Sequence, residues 1–203
     1  MDTVTQQTPT FGSPMKGGFF GGQITIDGAL HNLIVSPKAL GQIPKNMALL
    51  ARAKKIEAFS YIDGMANTRA LAEAGSKLAQ WMLELVIDDC SDFYLPSQDE
   101  LEILHRNFKP TTNKNWCYGR AGINLHAVVP TLPYTPDFPL QTTLHDFQDG
   151  GPEAFDAAWY WSSTLLIADA SYAWCQGFDD GNQGRSSVSD ELRARAVRRE
   201  LVI

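Results

Sequence analysis

Metal and thiol chemistry have little to draw on in this chain of 203 residues. Its three cysteines, Cys90, Cys117 and Cys175, stand far apart and form no CxxC pair. That excludes a fully paired disulfide framework and a zinc ribbon, and it fits a chain folded in a reducing cytoplasm. The four histidines, His31, His105, His126 and His145, make no HxH, HxxxH or HExxH, so the common metal and general-base signatures are missing. A GxSxG elbow is missing too, and the glycines at 17, 18, 21 and 22 lack the lysine and hydroxyl of a phosphate loop. No apolar run approaches the roughly 20 residues needed to span a bilayer. The opening MDTVTQQTPTFGSP has neither a basic nor an apolar block, so no export signal is expected. With 17 basic and 23 acidic side chains the formal charge is -6, which argues against a general nucleic-acid binder. Arginines gather only locally, at Arg193, Arg195, Arg198 and Arg199.

What is present points to an α+β chain in two parts. Residues 1–18 are rich in Thr, Gln, Gly and Pro, the composition of an extended arm. Such an arm needs a surface to lie on, so a homo-oligomer or larger assembly is expected. Residues 19–203 form a single domain, large enough to bury roughly 70% of its unfolded surface. Two β-type runs, 23–26 and 30–35, flank Asp27-Gly28, a hairpin signal. The glycines before them mark a bend or close backbone approach, or else a flexible linker. Leu71, Ala74, Leu78, Trp81, Met82 and Leu85 predict one amphipathic helix over 67–87. Ser97 and Glu100 form a possible capping box for a second helix, whose stripe is Leu101, Leu104 and Phe108 and whose stop is Pro110. His105 reads as a partly exposed boundary residue, and both helices as scaffold. Residues 111–152 form an irregular excursion with Pro130, Pro133, Pro136 and Pro139. WYWSST, SYAWCQGF and LRARAVRREL then read as strands, with 180–184 as a turn.

No catalytic constellation emerges. Ser162 and Ser163 beside Trp161 suit a crowded strand, and Cys117 and Cys175, each after a tryptophan, suit burial rather than reactivity. Asp179, Asp180 and Asn182 offer oxygens of the kind calcium takes, yet without EF-hand spacing. A polar turn is the favoured reading, with no metal and no cofactor. The remaining candidate is a binding surface: Tyr172, Trp174, Gln176, Asp179, Asp180, Asn182, Gln183, Arg185, Ser186 and Ser187 bring rings, amides, hydroxyls and an arginine together. That mixture suits sugar or protein recognition, because rings supply area and amides supply adaptable hydrogen bonds. On composition alone, Trp174 facing the core and a solvated turn is an equal alternative.

Several motifs carry a resemblance. YLPSQDEL at 94–101, WYWSST at 159–164, Ala173-Trp174, FDDGNQ at 178–183 and LRARAVRR at 192–199 together resemble the Lcl C-terminal domain family over about 90–203. The resemblance implies a C-type-lectin-like fold, with two helices flanking a small twisted antiparallel sheet and a long loop held against it. It implies that Trp161, Ser162, Ser163 and Val197 are framework and that residues 165–189 form the display surface. The upstream hairpin and helix resemble phage and prophage members. The expectation is a non-enzymatic virion protein of a bacteriophage tail tip or fibre. It would bind a bacterial surface glycan or protein and contact other virion proteins, without binding nucleic acid or inserting into membrane. The alternative is a structural baseplate, tail or capsid-decorating component. A third reading, an oxidoreductase resembling formylglycine-generating enzymes, would need Cys117 and Cys175 as its pair.

Overall fold

The structure is a computed structural model that describes residues 8–52, 56–129 and 131–203. Residues 1–7 of the expected arm and Pro130 of the excursion lie outside the described residues. The fold is mixed α+β, with four α-helices and several antiparallel sheets among the described residues.

The first sheet begins inside the expected arm. β1 (Pro14–Met15) pairs with β2 (Gly18–Ile26), and Phe11 stacks on Phe20 at 5.8 Å, so the chain is already folded by residue 11. β3 (Ala29–Val35) follows β2 through Asp27 and Gly28, whose φ values of 49° and 79° are those of a type I′ turn. The early glycines serve close approach. A Cβ on Gly21 would lie 2.6 Å from Leu104, and Gly22, at a register shift of β2, would meet Ile103 at 2.5 Å.

After α1 (Lys38–Gly41) and β4 (Met47–Ala48), the predicted long helix appears as two, α2 (Gly64–Glu73) and α3 (Lys77–Leu83). Gly75 takes a φ of 93°, and Ser76 caps α3 by accepting from the backbone of Ala79. The left-handed glycine ends one helix as the serine starts the next. Leu71, Leu78 and Met82 of the expected stripe are buried, while Trp81 and Leu85 pack at its margin. α4 (Gln98–Phe108) starts where expected: Glu100 Oε2 accepts from the backbone of Ser97 at 2.7 Å, the reach-back half of the box. The same carboxylate accepts from Gly64 of α2 and from the Tyr94 hydroxyl, fixing the helix starts together.

β5 (Trp159–Leu165), β6 (Tyr172–Gly177) and β7 (Gln183–Ser187) form the second sheet. β5 is buried on both sides. Trp161 joins the core of α2 and α3, whereas Tyr160 joins that of α4, β2 and β3. The terminal run expected as one strand is two: β8 (Glu191–Leu192) pairs with β4, and β9 (Val197–Leu201) pairs with β3. Arg195 between them turns inward. It is fully buried, donates to the Ser36 and Glu153 carbonyls, and meets Glu153 Oε2 at 2.5 Å over the Phe155 ring. That polar anchor interrupts the strand and stitches the sheets together. Among the described residues no helix is long and apolar enough to cross a membrane.

Candidate functional site

Strand alternation sorts the candidate residues. In an antiparallel pair, directly opposed residues share a face. Tyr172 opposes Ser187, Trp174 opposes Arg185 and Gln176 opposes Gln183, so these six form one face of β6–β7. Ala173, Cys175 and Ser186 fall on the other, where the Cys175 and Ser186 side chains meet at 3.8 Å. Ser186 is thus not with the group expected for display. Tyr172 and Arg185 are exposed, Trp174 and Gln183 half-buried, and Gln176 fully buried. Asp179, Asp180 and Asn182 form the β6–β7 turn. Asp180 Oδ1 accepts from the Asn182 backbone at 2.9 Å, while the Asp179 and Asp180 carbonyls accept from the Thr111 hydroxyl and the Trp116 backbone. The turn therefore seats the excursion, and burial pushes the Asp180 carboxyl upward. Among the described residues no group of three or more His, Cys, Asp or Glu is placed to hold a metal ion.

The face ends against α4, whose polar side is not solvated. Gln98, Asp99, Glu102 and His105 are all buried, which corrects the boundary reading of His105. Their partners come from the excursion. Arg120 reaches Asp99 at 2.5 Å and lies over the Tyr61 ring, which in turn packs on Trp174 at 6.2 Å. Asn124 donates to Glu102 at 3.0 Å, and Arg106 pairs with Glu102 at 2.8 Å one helical turn on. The Tyr134 hydroxyl donates to Glu102 at 2.9 Å and meets His105 Nδ1 at 3.2 Å and the Gln176 amide at 3.4 Å. Since that hydroxyl gives its hydrogen to Glu102, His105 carries its own on Nδ1.

Electrostatics follow from this burial. Desolvation raises Asp99 to about 7 against the pull of Arg120, raises Glu102 against Arg106, and lowers His105 to about 3 with help from Lys109 and Arg106. His105 is therefore neutral at pH 7. Several buried polar atoms here have no partner among the described residues: both amide atoms of Gln98, Asp99 Oδ2, His105 Nε2, Trp174 Nε1, and Oε1 of Gln176 and Gln183. Donors and acceptors in this mixture match groups that both give and accept hydrogen bonds, such as water or hydroxyls.

Sequence reasoning missed Tyr61, Gln98, Asp99, Glu102, Arg120 and Tyr134. The nearest signal was the acidic start of α4, which reads as ordinary helix-dipole compensation. The thiols offer no comparable cluster. Cys90, Cys117 and Cys175 are free; Cys117 donates to the Asn115 carbonyl, and burial raises Cys175 to about 11, so it stays protonated at neutral pH. Comparison with protein-family models, curated proteins and solved structures finds no match to this chain.

Proposed function

We propose that the chain is a recognition module of a bacteriophage or prophage virion, seated at the tail tip or fibre. It binds a bacterial surface glycan or protein with the outer face of β6–β7. The observation that carries this reading is the pairing of Tyr172 with Ser187 and of Trp174 with Arg185, with half-buried Gln183 on the same face, which lines aromatic, hydroxyl, guanidinium and amide groups side by side. Rings of this kind stack on flat partners, and the flanking amides select by hydrogen bonding. The C-type-lectin-like reading rests on the sequence motifs; it is supported by the burial of their framework residues Trp161, Ser162, Ser163 and Val197. On this reading the protein is made in the host cytoplasm, acts outside it and performs no catalysis.

Glycan arrays and host-cell adsorption with the full chain test the proposal. Wild type should bind, and Trp174→Ala and Arg185→Ala should each lose about tenfold or more in affinity with unchanged melting. Absence of wild-type binding, together with full adsorption by particles lacking the protein, removes it. A second reading, a baseplate, tail or capsid-decorating component making only protein contacts, is favoured by the apolar side chains exposed on the excursion, such as Leu125, Val129 and Leu132. Under that reading the same particles fail to assemble.

A further inference from the structure

The loop formed by residues 121–129 and 131–134 is built inside out. Asn124 and Thr131 turn their side chains onto the protein's own groups, while His126 is exposed. Asn124 is fully buried, donates to the Asp99 carbonyl and Glu102, and accepts from the backbones of His126 and Ala127. The Thr131 hydroxyl donates to the Gly122 carbonyl at 2.6 Å and accepts from the Asn124 backbone at 2.9 Å. The apolar neighbours face outward: Leu125 is 72% exposed, Val129 78% and Leu132 80%, with Ile123 and Val128 beside them. Nor is the loop loosely held. Arg106 donates to the Gly122 carbonyl at 2.7 Å, and the backbone around Ala127 bonds to Gln23 and Thr25, adding an antiparallel bridge along β2. A frame held by these bonds therefore presents several apolar side chains of one loop to water, which the hydrophobic effect opposes unless something covers them.

Charge indicates what covers them. From Ala121 to Tyr134 the sequence has no Asp, Glu, Lys or Arg, although the chain carries a formal charge of -6. Two copies carry the same net negative charge, and the loop itself brings no charged Asp, Glu, Lys or Arg to a contact between them, although Arg106 lines the groove beside it. Shape agrees: next to the loop, a largely apolar groove of about 270 Å³ runs between Phe11, Phe20, Ile103 and Val128. A two-fold axis can set each copy's projecting side chains against the groove of the other, as an isologous interface requires. We propose that the loop residues 121–129 and 131–134 are the docking face for a second copy of this chain. The proposal is independent of the receptor reading, because it uses neither the β6–β7 face nor any virion partner.

Sedimentation velocity and light scattering on the full chain, at concentrations up to about 100 µM, test it. Wild type should run as a dimer. The double variant Val129→Glu, Leu132→Glu should run as a monomer with an unchanged circular-dichroism spectrum. Ile167→Glu, an equally exposed apolar position outside the loop, should remain dimeric. If the double variant does not fold, amide exchange on wild type decides: residues 123–132 should exchange more slowly at high protein concentration than at low. A monomeric wild type overturns the proposal, as does a folded double variant that is still dimeric, or exchange that ignores concentration. A monomeric wild type that co-sediments with phosphatidylcholine vesicles also overturns it and assigns the loop to a lipid surface.

Discussion

Trp161 and Trp174 sit on neighbouring strands of one sheet and face opposite sides of it. Trp161 opposes Cys175, is fully buried, and donates its indole hydrogen to the Met47 carbonyl at 2.9 Å. Trp174 opposes Arg185, is half-buried, packs on Tyr61, and has no partner among the described residues for its indole nitrogen. The first is a satisfied core residue. The second has a half-covered ring and a buried indole nitrogen that finds no partner among the described residues, so it is not a satisfied core residue of the same kind. A strand that alternates by single residues separates these roles within a few ångströms.

The contrast predicts a gradient of effects. Trp161→Ala should destabilise the fold most, by about 3–5 kcal/mol in urea unfolding, because it empties an indole-sized space and orphans the Met47 carbonyl. Retention of wild-type stability would move Trp161 out of the core. Next comes Glu102→Ala, expected to cost about 3 kcal/mol by the same measurement, since it leaves Arg106, Asn124 and Tyr134 without their shared acceptor. A loss below about 0.5 kcal/mol would mean that the excursion is not anchored on α4.

Asp99 sharpens the comparison through pH. Burial first, and only then Arg120 in the opposite sense, sets its carboxyl at about 7 in the folded chain, against 3.8 as its ordinary value. The folded state keeps a proton that the unfolded state releases, so this contribution is full below about pH 4 and is lost as pH rises through 7. Wild type should therefore lose stability relative to Asp99→Asn over that window; parallel profiles would show that Asp99 ionises normally. At the small end, Trp174→Ala should leave melting almost unchanged, at about 0.5 kcal/mol or less, while weakening ligand binding about tenfold or more, and Gln183→Ala should change stability by no more than about 0.5 kcal/mol. Large destabilisation by Gln183→Ala would make the β6–β7 face structural.

Legibility in the sequence tracks the range of the interactions involved. The hairpin and the start of α4 were readable because Asp27-Gly28 and the Ser97/Glu100 pair act within four residues. The break between α2 and α3 was also written locally, in Gly75 and Ser76, but the apolar spacing continues across it and masked it. The buried polar side of α4 was not readable. Helical periodicity marks only the apolar stripe, and a polar face is assumed to be wet. Its partners Arg120, Asn124 and Tyr134 lie some 20 to 30 residues further along the chain.

The terminal run shows the same limit, for LRARAVRREL has strand composition throughout. Burial of Arg195 against Glu153 and Ser36 splits it, and nothing within the run names those acceptors. The amino-acid sequence by itself determined the Asp27-Gly28 turn, the helix starts, the strand alternation and the charge, because each depends on backbone geometry or composition a few residues long. Tertiary structure alone decided which polar face is buried and which apolar loop is exposed. Both depend on desolvation, and desolvation of a side chain is set by whichever distant segment comes to lie on it.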